Sequence, residues 1–162
     1  MRIPRVAIVL FLLAVFFSCS RESEETSVFS TELMDLQIPS NLPALTPSNN
    51  PLTKAGFELG RRLYYDSILD PQHSRACASC HIQQFGFTTP GSNVIPHINL
   101  AYNNRFLWNG EVEGTLEDAM IFEVEDFFHT DATKIQKTGD YPYLFLRAFG
   151  SSKVTTRKCA LA

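Results

Sequence analysis

"CASCH", residues 77–81, decides how the rest of the chain is read. It sets two thiols three positions apart and follows the second at once with an imidazole. A Cys-x-x-Cys pair has three common uses: a redox disulfide, half of a zinc site, or the attachment of a c-type haem. The redox use belongs to a βαβ setting, and no alternating strand pattern flanks this pair. A zinc site calls for two further ligands at short spacing. The other cysteines, Cys19 and Cys159, stand unpaired near opposite ends of the chain. A histidine directly after the second cysteine points to haem, because the thiols add to its two vinyl groups and the imidazole then sits under the iron. Cys77 and Cys80 are therefore expected to hold one covalent haem c, with His81 as the proximal iron ligand. A structural disulfide is the competing reading.

The N-terminus suits that chemistry, since c-type haem is attached outside the cytoplasm. "MRIPR" is positively charged, "VAIVLFLLAVFF" is apolar and "SCS" is small, the order of a secretory signal. The apolar run is too short to span a bilayer comfortably. Cys19, straight after it, resembles a lipobox cysteine, so residues 1–19 read as the signal peptide of a lipoprotein lipidated at Cys19. The mature chain is then exported, periplasmic or held in the cell envelope, and touches the membrane only through its lipid. Residues 20–50, rich in Ser, Glu and Pro, read as a flexible tether that later lies extended on the domain surface. The net charge of -3 and the lack of any Lys/Arg run argue against a nucleic-acid partner.

Residues 51–162 read as one helical domain. Ala55, Leu59 and Leu63 recur at helical spacing behind a possible Thr53 cap. "TLEDAMIFEVEDFF" opens on a Thr115–Asp118 capping box. "DATKIQKTG", "YPYLFLRAFG" and "TTRKCALA" are further helix candidates, the second stopped by Gly150 and the third running to the chain end. Between the first two lies an irregular stretch punctuated by Pro71, Gly86, Pro90, Gly91 and Pro96. The expected fold is all-α, a cytochrome c-like helical haem domain with long loops.

From about Asn50 onward the chain resembles the bacterial dihaem cytochrome c peroxidase family, which includes the MauG-type enzymes. The resemblance is carried by "NPLTKAGFELGRRLYYDSILD", "CASCHIQQFGFT", "INLAYNNRFLWNGEVEGTLEDA" and "YPYLFLRAFGSSKVTT", in that order. It implies two cytochrome c-like domains with one haem each. The N-terminal haem cleaves hydrogen peroxide, and the C-terminal one takes electrons from a donor such as a small cytochrome. It also implies Trp108 as an electron relay between the haems, and calcium at the domain boundary near Asn93.

This sequence departs from that pattern in several places. It has no second Cys-x-x-Cys-His, and it stops inside a helix candidate, which reads as the N-terminal haem domain, C-terminally incomplete. Asn109 and Asp118 stand where many members have Asp and Gln. The proton-moving acid has no clean counterpart, because Glu123, Glu125 and Asp126 offer themselves without a register; the catalytic acid–base residue is left unassigned. His97 follows His81 closely enough to fold back over the haem as a distal ligand. His73 and His129 read as solvated loop residues, Cys159 as a small buried hydrophobe, and Trp108 alternatively as core packing. The rival function is a monohaem electron-transfer cytochrome, for which Met120 is the methionine available as sixth ligand.

Overall fold

The computed structural model describes residues 29, 30, 32–45 and 48–162. The signal segment and Cys19 lie outside them. Helix α1, Lys54–Tyr65, starts at Thr53, whose hydroxyl accepts the Gly56 N–H at 3.0 Å. Helix α2 is the single turn Cys77–Cys80. A two-stranded antiparallel hairpin follows, β1 Arg105–Phe106 and β2 Val112–Glu113. Helix α3, Leu116–Phe122, runs without a break into a wider π-helical turn, Glu123–Phe127. Helices α4 (Ala132–Ile135), α5 (Tyr141–Phe149) and α6 (Thr156–Ala160) complete the described elements.

The architecture is helix-rich, and the hairpin is the part that the all-α expectation missed. Its signal was present as Asn109-Gly110, a turn pair that accepts positive φ. The loop closes through Gly110 N–H to the Leu107 carbonyl at 3.1 Å, with Leu107 and Gly110 both left-handed. Arg105 and Glu113 face each other across the strands and pair at 2.9 Å. Strands of two residues are too short to show alternation, so a periodicity search passes over them.

The core lies between α1 and α5. Leu59 and Phe145 are fully buried, with Leu63, Tyr141, Ile135 and Val124 packed around them. Tyr141 keeps its hydroxyl satisfied by donating to Asp66 Oδ2 at 2.7 Å, and Arg62 lies over its ring. The capping box at α3 is formed on both sides: Thr115 Oγ1 accepts the Asp118 N–H, and Asp118 accepts the Thr115 N–H. Gly150 ends α5 in a left-handed conformation, and its bare Cα lets the Phe29 ring lie against it. Phe29 belongs to an extended segment that crosses the domain surface. Ser30 N–H bonds the Arg147 carbonyl, and Met34 and Lys54 exchange backbone bonds with Leu52 and Glu32. Helix α6 closes the other side and buries Cys159, whose thiol is pushed up to about 12 by burial.

Replacing Phe145 by alanine removes a fully buried ring from the α1–α5 contact, and should cost about 3–5 kcal/mol in urea unfolding. Thr115→Ala removes only a cap and should cost about 1 kcal/mol. A Phe145→Ala loss no larger than the cap's would contradict this placement of the core.

Candidate functional site

The site begins in the loop before α2. Asp70 is 2% exposed and collects the Ser74 hydroxyl and the N–H groups of Gln72 and Ser74. That cradle turns the chain so that α2 starts at Ala76, whose N–H donates to Ser79 Oγ at 2.9 Å. In one helical turn, residues i and i+3 share a face. Cys77 and Cys80 both line the same cavity, and both are free thiols. Burial, and secondarily the charge of Glu123, push the Cys77 thiol up to about 12.

His81 caps α2 through its N–H to the Cys77 carbonyl. A tight turn, "IQQFGFT", then folds back with Gly86 and Phe87 both left-handed. It is held by Ile82 pairing with Thr88. The turn delivers the Phe87 carbonyl to His81 Nδ1 at 3.1 Å. A carbonyl only accepts, so Nδ1 carries the proton and Nε2 keeps its lone pair free. Burial of the ring lowers the His81 pKa, which favours that neutral form.

His97 also reaches this corner. Its N–H donates to the same Phe87 carbonyl at 3.2 Å, and its Nδ1 lies 3.2 Å from the Tyr64 hydroxyl. The His97 and His81 rings are stacked, 3.3 Å between centroids and 17° between planes. Burial and the neighbouring His81 push the His97 pKa down to about 4. Imidazole lone pairs lie in the ring plane, so stacked rings aim their nitrogens side by side rather than at one point from opposite sides.

The cavity in front of α2 has a volume of about 680 Å³ and a mostly apolar lining. That lies within the range of roughly 300–1,000 Å³ usual for small-molecule and cofactor sites. Cys77, Cys80 and His81 form one wall, and the α3 stripe Leu116, Ala119, Met120 forms another. Phe106 and Leu107 of the hairpin region also line it. Two free thiols a helical turn apart, an imidazole oriented by a backbone carbonyl on the same wall, and an apolar hollow of this size fit a c-type haem. A zinc reading is not supported: among the described residues no three His, Cys, Asp or Glu side chains converge.

The other expected residues are spread around this cavity. Trp108 sits on its rim and is 77% exposed, so it is not packed as core. Asn93 and Met120 line it as well. His73 and His129 are exposed, both in left-handed backbone. Glu123 lines the cavity, whereas Glu125 and Asp126 are exposed and do not. Helical spacing from Leu116 through Ala119 and Met120 leads to Glu123, a signal the sequence reading did not use.

The family model described as "Di-haem cytochrome c peroxidase" matches residues 54–162. The methylamine utilization protein MauG of Methylorubrum extorquens is 26% identical over 124 residues, 66% of this chain and 35% of that one. The MauG of Methylophilus methylotrophus is 27% identical over 142 residues, 76% of this chain and 42% of that one. The cytochrome-c peroxidase IdrP1 of Denitromonas iodatirespirans is 30% identical over 82 residues, 43% of this chain and 22% of that one. A crystal structure of a MauG-like protein associated with microbial copper homeostasis superposes with a TM-score of 0.65 at 21% identity, a likeness of fold. It covers 79% of this chain and 45% of that one. The chain thus spans less than half the length of these relatives.

The Asp70 cradle yields a pH prediction. Bonds from the Ser74 hydroxyl and the Gln72 amide hold the Asp70 carboxyl below its ordinary value of 3.8. A depressed folded-state pKa contributes stability that is complete above the unfolded value and lost as pH falls through the folded one. Asp70→Asn should therefore unfold more easily at neutral pH and show a flatter loss of stability below pH 3.8. Parallel stability–pH curves for variant and parent would contradict it.

Proposed function

We propose, for a chain that belongs to the di-haem cytochrome c peroxidase family, that it is the haem module at which hydrogen peroxide is reduced. In this reading Cys77 and Cys80 hold a covalent haem c, and His81 Nε2 is the proximal iron ligand. The observation that carries the proposal is the shared wall: Cys77, Cys80 and His81 all line one apolar cavity of about 680 Å³. When bound, the haem supplies an iron that takes up peroxide and passes electrons, with the pocket's polarity and access deciding between the two.

The chain's own residues do the rest. The Phe87 carbonyl holds the His81 proton on Nδ1 and orients the ring. Leu100, Phe106, Leu116 and Phe122 give the cavity much of its apolar lining. Trp108, exposed at the rim, is the relay toward a second haem domain, which takes electrons from a donor protein such as a small cytochrome. The 162 residues contain a single Cys-x-x-Cys-His, the attachment site of one haem in this reading. Calcium near Asn93 belongs to the same boundary. His97 lies against the His81 ring, and serving as distal ligand requires its loop to carry it across the cavity. The signal-like residues 1–19 and Cys19 support export to the periplasm and a lipid anchor. No described helix is long and apolar enough to cross a membrane.

A second reading, a monohaem electron-transfer cytochrome, has one observation in its favour: Met120 lines the cavity and is a possible sixth ligand. The ferric absorption spectrum separates the two. A high-spin spectrum that changes on adding peroxide supports the peroxidatic module, and a low-spin spectrum lost in Met120→Ala supports the cytochrome.

Produced with the c-type haem attachment machinery, the parent should stain for haem on a denaturing gel. Cys77→Ala and Cys80→Ala should each lose one thioether, visible as a shift in the pyridine haemochrome band, with a lower folded yield. His81→Ala should retain covalent haem while its iron spectrum changes. A His81→Ala spectrum identical to the parent's would remove His81 as ligand.

A further inference from the structure

His97 is held on the side of the cavity that carries His81. Residues 94–98 are clasped onto the turn 82–88 by contacts along their length. The Thr88 hydroxyl donates to the Val94 carbonyl, and the His97 N–H donates to the Phe87 carbonyl at 3.2 Å. Ile98 lies over Gly86, where an added Cβ would meet its Cδ1 at 3.4 Å. Pro96, with its fixed φ, stiffens the approach to His97. The Phe87 carbonyl thus serves both histidines, His81 through Nδ1 at 3.1 Å and His97 through its backbone.

Tyr64, half-buried on α1, ties the two imidazoles together a second time. Its hydroxyl lies 3.2 Å from His97 Nδ1 and 3.4 Å from the His81 carbonyl. A hydroxyl has one proton to give, and a carbonyl only accepts. Both contacts are met when Tyr64 donates to the His81 carbonyl and accepts from His97 Nδ1–H. Phe87 packs edge-on against the Tyr64 ring, 6.2 Å between centroids. What this group does to His81 follows from the stack. A hydrogen bond to a carbonyl sets which way the His81 ring faces, yet tolerates a spread of angles around the oxygen. A second ring flat against its face, 3.3 Å between centroids and 17° between planes, confines that swing. Partners of this kind, one shell out from a metal ligand, orient it and tune the metal.

We propose that His97, held by Tyr64, is a positioning residue for the proximal ligand. It stays against His81 when haem is bound and fixes the rotation of that ring under the iron. The proposal rests on the haem reading above and goes beyond it, since it puts on the proximal side a histidine whose spacing suggested the distal one. The rotation matters because it sets how the imidazole π orbitals overlap those of the iron.

Proton NMR of the full haem-loaded ferric chain, saturated with cyanide, reads that rotation without turnover. Cyanide occupies the sixth position and is symmetric about its axis, so the spread of the haem methyl shifts reports the plane of the His81 ring. The parent should give one set of methyl lines. His97→Ala should move them or split them into several sets, as the freed ring samples other rotations. His97→Phe keeps a flat ring and cannot bind iron, and its lines should lie nearer the parent's than those of His97→Ala. Tyr64→Phe cuts only the bond to the stack and should shift them in the same direction by less. Methyl lines unchanged in His97→Ala would overturn the proposal. So would a ferric spectrum, before cyanide, that passes from low-spin in the parent to high-spin in both His97→Ala and His97→Phe, because His97 would then be a distal ligand. Should His97→Ala fail to load haem, Tyr64→Phe decides, and lines identical to the parent's overturn it. A parent chain without covalent haem would instead overturn the haem reading, and this inference with it.

Discussion

Three side chains must open onto one cavity from five consecutive residues, and the Phe87 carbonyl is what makes that geometry hold. Helix α2 solves the thiol part cheaply, because one turn brings positions 77 and 80 to the same face. The imidazole is harder, since a histidine at a helix end is free to rotate and to carry its proton on either nitrogen. The bond from His81 Nδ1 to Phe87 removes both freedoms. It requires the chain to double back within six residues, which is why two successive left-handed residues, Gly86 and Phe87, occur there. Left-handed backbone costs a non-glycine residue roughly 1–3 kcal/mol and persists only where its surroundings enforce it. Here the Ile82–Thr88 pairing and the His97 N–H on the same carbonyl supply that enforcement.

The domain is built around a hollow. Helices α1 and α5 make a closed core of their own, with Leu59 and Phe145 at its centre. The far side of α3 and the hairpin instead surround open space lined by apolar side chains. An apolar cavity of that size forfeits dispersion contacts along its whole lining. A cofactor that fills it restores those contacts, and anything bound to the folded chain alone stabilises that state. Haem attachment and folding are therefore coupled in the proposed function. In the proposed function, the cavity rim that carries exposed Trp108 is the surface through which a second domain would meet this one.

Much of the scaffold was legible because it rests on local chemistry. Thr53, the Thr115–Asp118 box and Gly150 bound their helices where cap rules place them. Family membership was legible too, since several ordered segments carried it. The hairpin escaped because its strands are two residues long and only Asn109-Gly110 announced it. The positions of His97 and Glu123 escaped for a different reason. Stacking on His81 depends on a loop with no periodicity, so no spacing rule places His97 beside the ring rather than across from it. Glu123, Glu125 and Asp126 are chemically alike in sequence. Only the path of α3 into its π-turn separates the one that meets the cavity from the two that meet solvent.

Covalent attachment of haem at Cys77 and Cys80 is the central claim, and peptide mass spectrometry addresses it most directly. The chain, purified from a host that attaches c-type haem, is digested and the peptide containing Cys77–His81 is weighed. Attachment predicts that this peptide alone carries the added mass of one haem, with both thiols consumed and Cys159 unmodified. A peptide recovered without haem, with its two cysteines free or joined to each other, would contradict it.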